Sequence, residues 1–290
     1  MAKTYNEIYL AMRRALKEAG DEDYALDARR LLAQAAGFTD AQLISRMYLY
    51  AGDAPEKAAQ ELLQRRLSGE PMAYIAGQWE FYGLKMLVNP SVLIPRIDTE
   101  PLVFTALDLM KDTPEPRILD LCCGSGCIGC ALAVNLPTAR VIFADVSSDA
   151  LSVTRKNISL HRLNTRCVAL AADALSEPPL KMENFDLLAC NPPYVTKAEI
   201  DTLDASVRDW EPHLALDGGE DGLMFYRSVL KNWKSVLKDD GWIVFEVGEG
   251  QAEDVRSLLS DSGFHNLGCT LDTLGTERVI YAQKKKTTQS

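Results

Sequence analysis

The stretch Phe185-Asp186-Leu187-Leu188-Ala189-Cys190-Asn191-Pro192-Pro193-Tyr194 decides how the chain is read. Its first six residues form a short apolar run, the length of a strand buried on both faces of a parallel sheet. The run stops at Asn-Pro-Pro-Tyr. In open α/β sheets ligands sit at the carboxyl ends of strands, which is where these four residues fall. Neither proline has an N–H, each fixes its own φ, and each pushes the preceding residue toward extended backbone. The resulting stiff loop can turn the Asn191 side-chain oxygen and the Pro192 carbonyl toward one point, with the Tyr194 ring as a wall. Two fixed acceptors suit a planar substrate bearing an NH2 group. Such a nitrogen is a weak nucleophile because its lone pair is delocalised. Hydrogen bonds from both N–H groups orient that lone pair and stabilise the charge that grows on nitrogen as it attacks. Standing alone, the tetrapeptide would read as a turn with a tyrosine covering the core.

Around this stretch the pattern alternates. Apolar runs at residues 117–123, 140–145, 167–173, 185–190 and 242–247 are separated by helical stretches, which predicts a doubly wound, mainly parallel sheet. Runs at 265–270 and 278–283 follow each other without a full helix between them and predict an antiparallel edge pair.

The amino-terminal third is different. Thr4-x-x-Glu7 and Thr39-x-x-Gln42 are capping boxes, the second opening a short helix to about residue 48. Apolar residues at helical spacing end at Gly20 and Gly37, and Asp53 with Pro55 starts a fourth helix with Leu62, Leu63 and Leu67 on its apolar side. The expectation is an all-helical domain over residues 1–70 that docks or covers a substrate. Residues 71–95 read as a hairpin linker, since Gly83 separates two aromatic or aliphatic runs. Residues 96–286 form the α/β domain, opened by a helix capped at Thr99, and 287–290 are a solvated tail.

The chain has 290 residues, of which 47% are hydrophobic and 25% charged, enough for a large core and a smaller one. No run of eighteen apolar residues exists and no signal-peptide pattern opens the sequence, so a soluble, cytoplasmic protein is expected. It is read as a monomer, though nothing in the sequence fixes the oligomeric state. The seven cysteines are an odd number, which fits reduced thiols. A net charge of −10 argues against broad phosphate binding, and no direct contact with nucleic acid or membrane is expected.

The first strand of the α/β domain leads into Asp120-Leu121-Cys122-Cys123-Gly124-Ser125-Gly126-Cys127-Ile128-Gly129. Glycines there allow close approach to a ligand, and the helix that follows offers its amino terminus. Asp145, about twenty residues on, stands where an acid grips ribose hydroxyls. The spacing Gly124-x-Gly126-x-x-Gly129 also fits a dinucleotide fingerprint. Asp120 at the strand end argues against a pyrophosphate and for a cationic, amino-acid-bearing ligand. S-adenosylmethionine, with ribose, adenine, an α-amino group and a sulfonium but no phosphate, satisfies these residues together. Cys127-x-x-Cys130 can be read as half a metal site or a redox pair. No second pair has ligand spacing, and packing by small residues accounts for it, so no metal is expected.

With these residues in view, the chain resembles the peptide-chain release factor glutamine N5-methyltransferases, the PrmC/HemK family. Beyond Asn191-Pro192-Pro193-Tyr194, three stretches carry the resemblance. They are Tyr74-Ile75-x-Gly77 with Glu80-Phe81-Tyr82-Gly83-Leu84, Val92-Leu93-Ile94-Pro95-Arg96 with Asp98-Thr99-Glu100, and Glu211-Pro212-x-x-Ala215-Leu216-x-Gly218-Gly219-x-Asp221-Gly222-Leu223 with Tyr226-Arg227. The resemblance implies a helical domain, a hairpin linker and a Rossmann-like class I methyltransferase domain with a seven-stranded sheet. It implies transfer of a methyl group from S-adenosylmethionine to the side-chain amide of the glutamine in the Gly-Gly-Gln motif of class I release factors, the protein partners, with S-adenosylhomocysteine as product. It makes Cys122, Cys123, Gly124, Ser125, Gly126, Asp145, Ala174 and Asn191 the cofactor site. It makes Asn191, Pro192, Pro193 and Tyr194 the glutamine site, with Asn191, Pro192 and Tyr194 catalytic.

The chain departs from the family at two positions. Cys122 stands where the family has glycine. A Cβ there costs on the order of 1 kcal/mol if the backbone needs positive φ, and crowds the cofactor if it needs only closeness. Ala174 stands where the family commonly carries an aromatic or larger side chain beside adenine. Two other readings remain at this point: an adenine-N6 methyltransferase on DNA, whose flipped base presents the same NH2 group, and a cofactor-binding partner without activity.

Overall fold

In the computed structural model, residues 2–179 and 182–286 are described. The tail read at 287–290 lies outside them. The chain divides into two units, Met1–Gly77 and Gln78–Ser290.

The first unit holds α1 (Tyr5–Glu18), α2 (Tyr24–Ala36), α3 (Asp40–Ile44), α4 (Asp53–Leu67) and α5 (Met72–Ala76). Thr4 and Thr39 form reciprocal capping boxes with Glu7 and Gln42. Gly37 closes α2 in the left-handed conformation. Ile8, Met12 and Leu16 of α1 meet Leu31 and Leu32 of α2 in the core. Three details differ from the sequence reading. α3 stops at Ile44 rather than near residue 48. α4 buries Ala59, while Leu67 stays exposed, because a small residue lets the helices approach. Residues 72–76, expected to open the hairpin linker, form α5 with Tyr74 and Ile75 buried, and Gly77 ends it at φ 66°.

The second unit begins with the hairpin β1 (Gln78–Phe81) and β2 (Leu84–Leu87). Tyr82 and Gly83, both at positive φ (49° and 70°), make its two-residue turn. Then follow α6 (Glu100–Met110), β3 (Arg117–Leu121), α7 (Cys127–Asn135), β4 (Arg140–Asp145), α8 (Ser148–Leu160), β5 (Cys167–Ala171) and β6 (Phe185–Cys190). The chain ends with α9 (Lys197–Ile200), α10 (Ala205–Arg208), α11 (Met224–Asn232), β7 (Leu237–Glu246), α12 (Ala252–Asp261), β8 (Phe264–Leu271) and β9 (Glu277–Lys284).

Seven strands pair in the order β5-β4-β3-β6-β7-β9-β8. Every pair from β5 to β7 is parallel, and β9 enters antiparallel between β7 and β8. The two final strands are therefore an antiparallel edge pair, as the missing helix between them requires. The order reverses between β3 and β6, so the loops after these two strands open at a topological switch point. Leu121 pairs with Cys190 in register, which sets Cys122 and Asn191 side by side at the carboxyl edge. The sheet is covered on both faces, one by a cluster with Val103, Leu132 and Phe143, the other by one with Tyr226, Trp233 and Phe245.

Candidate active site

A cavity of about 500 Å³ opens over that edge. Cys122, Cys123, Gly124, Ser125, Asp145, Ala174, Asn191, Pro192, Pro193 and Tyr194 all line it. Among the residues assigned to the cofactor or the glutamine, Gly126 does not, since it turns into the start of α7.

The glycine loop is built from left-handed residues in alternation. Cys122, Gly124 and Gly126 have φ of 59°, 53° and 78°. The first of the two alternatives for Cys122 therefore holds: a side chain occupies a left-handed position. A Cβ on Gly126 would lie 2.8 Å from Thr154 Cγ2, and one on Gly129 would lie 2.3 Å from the Phe143 ring and 2.8 Å from Asp120 Oδ2. Gly126 and Gly129 are packing glycines, demanded by their neighbours. Two buried side chains of α8 hold the loop from below. Thr154 donates to the Gly124 carbonyl at 2.8 Å. Asn157 donates to the Ser125 carbonyl at 2.9 Å and to Leu87 of the hairpin at 3.0 Å. Sequence reasoning passed over both residues.

Asp145 accepts the Gly124 N–H at 2.8 Å and the Ser147 N–H at 2.9 Å, one on each oxygen. A carboxylate has about four lone-pair sites, so two remain for a diol. Burial raises its pKa, against the pull of those N–H groups.

Asp120 corrects the sequence argument. It is wholly buried, does not line the cavity, and accepts the Gly129 N–H at 2.8 Å. Burial pushes its carboxyl up to about 7. It does not reach out to a cationic ligand. It does occupy a helix-start N–H that a phosphate would need, so the case against a pyrophosphate stands on a different contact.

The cysteines are all free thiols. Cys127 and Cys130 of α7 are both buried, and Cys127 reaches the cavity lining. Burial pushes the Cys127 thiol up to about 12. A hydrogen bond with Cys190, then burial, holds the Cys122 thiol well above its ordinary range. Among the described residues no group of three metal-ligating side chains comes together.

The Asn-Pro-Pro-Tyr loop is held by backbone. Val195 donates to the Leu216 carbonyl at 3.0 Å, and Gly218 donates to the Val195 carbonyl at 2.8 Å. Gln251 donates to the Tyr194 carbonyl at 3.0 Å. A Cβ on Gly218, Gly222 or Gly248 would strike Tyr194 at 2.7, 2.4 and 3.0 Å. Gly218 and Gly222 are why the 211–223 stretch can wrap the loop closely, and Gly248 lets the turn after β7 approach the Tyr194 ring. Glu211, buried, accepts the Ile94 N–H at 3.1 Å and pairs with Arg96. It thereby ties the 92–96 stretch to the 211–223 stretch on the cavity wall.

Asn191 donates through Nδ2 to Thr99 Oγ1 at 3.3 Å. Thr99 was expected to cap α6, but its side chain makes no cap bond and serves Asn191 instead. No described residue bonds Asn191 Oδ1 or the Pro192 carbonyl. Tyr194 donates to Glu246 Oε1 at 3.2 Å. Burial, the largest cause, raises the tyrosine pKa further, so the ring stays neutral.

A doubly wound sheet with this loop beside a glycine turn defines a methyltransferase domain. Comparison with known proteins agrees. Residues 100–220 match the model of the methyltransferase small domain, and residues 7–77 match that of the PrmC N-terminal domain. A release factor glutamine methyltransferase of Clostridium botulinum is 36% identical over 93% of this chain and 95% of its own length. One of Geobacter sulfurreducens is 39% identical over 91% of each chain. The chain belongs to the release factor glutamine methyltransferase family. At the level of fold it is also similar to the hMettl16 catalytic domain solved with the MAT2A 3'UTR hairpin 6, with TM-score 0.57 and 17% identity over 80% of this chain and 82% of that one. No described helix is long and apolar enough to cross a membrane.

Proposed function

We propose that the chain methylates the side-chain amide nitrogen of the glutamine in the Gly-Gly-Gln motif of class I release factors, with S-adenosylmethionine as donor. The observation that carries this reading is the free pair of acceptors, Asn191 Oδ1 and the Pro192 carbonyl, beside the glycine turn in one cavity. The turn fits that donor: its left-handed residues give a backbone cradle, Asp145 keeps two lone pairs for a ribose diol, and Ala174 leaves room for adenine. Bound there, the donor supplies an electrophilic methyl on a sulfonium.

The chain's own residues do the rest. Asn191 Oδ1 and the Pro192 carbonyl take the two amide N–H groups and turn the nitrogen lone pair toward the methyl. Their negative ends stabilise the charge that grows on nitrogen. Tyr194 packs against the amide plane. A side chain without NH2 leaves both acceptors unpaired, about 1–3 kcal/mol each. The surplus proton passes to water. The helical unit, Met1–Gly77, is assigned to docking the release factor.

Incubation with labelled S-adenosylmethionine and either release factor or duplex DNA tests the assignment. Label on the release factor is expected. Label on DNA would make the substrate a flipped adenine, and label on neither would leave a binding protein without transfer.

A further inference from the structure

Glu246 ends β7 at the cavity wall and is 2% exposed. The sequence reading did not single it out. Its Oε1 accepts from Tyr194, and no described residue bonds its Oε2. The Thr99 hydroxyl lies close enough to this carboxyl to lower its pKa. Asn191 in turn donates to Thr99. The three residues are placed for a one-way chain: Asn191 gives a hydrogen to Thr99, and the nearest acceptor left for the hydrogen of Thr99 is the unpartnered Oε2 of Glu246. A hydroxyl has a single hydrogen. While the carboxylate holds it, Thr99 can only accept from Asn191. The amide must then show Nδ2 to Thr99 and Oδ1 to the cavity.

We propose that Glu246 is a positioning residue that fixes the direction of the Asn191 amide through Thr99 and pins the Tyr194 ring, and so selects an NH2-bearing side chain. This rests on the reading of Asn191 through Tyr194 as the glutamine cradle. Without Glu246 the Asn191 amide is free to turn over. Its nitrogen would then meet the substrate nitrogen, donor against donor.

The charges around Glu246 set its pH response. Burial, the first cause, pushes its carboxyl up to about 7. Thr99, Tyr194 and Arg278 of β9 pull it down, and Asp98, ahead of α6, pushes it up. Cys127 of α7 faces it as a neutral thiol. Protonation gives the carboxyl a hydrogen of its own to donate to Thr99. The Thr99 hydrogen is then free to point at Asn191, and the chain reverses. Transfer therefore increases as pH rises through about 7.

Glu246→Gln places a permanent donor in nearly the same volume. The test is steady-state transfer to release factor across neutral pH, with calorimetric binding of S-adenosylmethionine and a thermal midpoint for each variant. For Glu246→Gln we expect kcat to fall on the order of tenfold or more, with cofactor affinity held within about twofold. The acid limb near 7 disappears, and the thermal midpoint holds or rises, since a buried ionisable group has gone. Thr99→Val reproduces the kcat loss, and Thr99→Ser recovers part of it. Wild-type kcat with the acid limb intact in Glu246→Gln would overturn the proposal. So would a parallel loss of kcat, cofactor affinity and thermal midpoint, which is the mark of a merely structural residue. Absence of transfer by the wild-type protein would instead bring down the cradle reading, and this proposal with it.

Discussion

Cys122 shows how much one residue can carry. Its φ of 59° is a glycine conformation held by a side chain, at a cost of about 1 kcal/mol. The thiol is packed against Cys190 and stays protonated. Its Cβ also stands on the cavity wall, where the cofactor's amino-acid part is assigned. Cys122→Gly should therefore relieve strain that the free and the bound protein carry alike, and stabilise the fold by up to about 1 kcal/mol, less what glycine loses in chain entropy. Urea unfolding of both proteins measures this. A variant less stable than the wild type would mean that the packing of the thiol against Cys190 outweighs the strain. The sequence showed the departure but not which of two costs it incurs, because a dihedral angle is not written in residue types. Thr99 was legible only as a possible cap. Its partner in the fold, Asn191, lies 92 positions away.

At the scale of elements, the strands could be read because burial on both faces leaves continuous apolar runs, as at Phe185–Cys190. The supports of the site could not be read. Thr154 and Asn157 sit three apart on the buried face of α8, among Leu151 and Ile158, and look like ordinary polar residues of an amphipathic helix. Their place on the apolar stripe was the one available signal. The glycines at 218, 222 and 248 have a clearer purpose once the fold is known, since each faces the Tyr194 backbone or ring. Gly222 is the most constrained of them. It has φ 71°, and a Cβ would meet the Tyr194 carbonyl at 2.4 Å and Gln251 Nε2 at 2.3 Å. Gly222→Ala should cost about 2 kcal/mol or more of stability through strain and displacement. It should also reduce transfer beyond that loss, because the displaced segment packs on the loop proposed to hold the substrate. Urea unfolding alongside kinetics at a temperature where the variant is folded separates the two. Full activity would show that the loop does not depend on its glycine cradle.

For the whole molecule, the two carboxyls that burial raises furthest shape the response to pH near neutrality. Asp120 and Glu246 are raised by burial to about 7 from ordinary values of 3.8 and 4.5. Between those ordinary values and 7 the folded state binds more protons than the unfolded chain, so stability falls as pH rises through this window. Each group accounts for a change on the order of 3 kcal/mol. The protein should therefore be more resistant to urea on the acid side of neutrality than above it. Glu246→Gln should remove its share of the slope. A stability that rises with pH across the same window would show that these carboxyls are ionised at little cost. The division of the chain into a helical unit and an α/β unit was visible from caps and spacing. The segment between them was less legible, because Met72–Ala76 has the aromatic and aliphatic content of a strand yet closes as a helical turn before Gly77.

The proposed transfer turns on an amide nitrogen held by Asn191 Oδ1 and the Pro192 carbonyl. The most direct measurement is the mass of the release-factor tryptic peptide containing Gly-Gly-Gln after incubation with S-adenosylmethionine and either the wild-type chain or Asn191→Ala. The peptide should gain one methyl group, placed on the glutamine by fragmentation, with the wild-type chain alone, while Asn191→Ala still binds the cofactor. A peptide left unmodified by the wild-type chain, or methylated equally by Asn191→Ala, would contradict it.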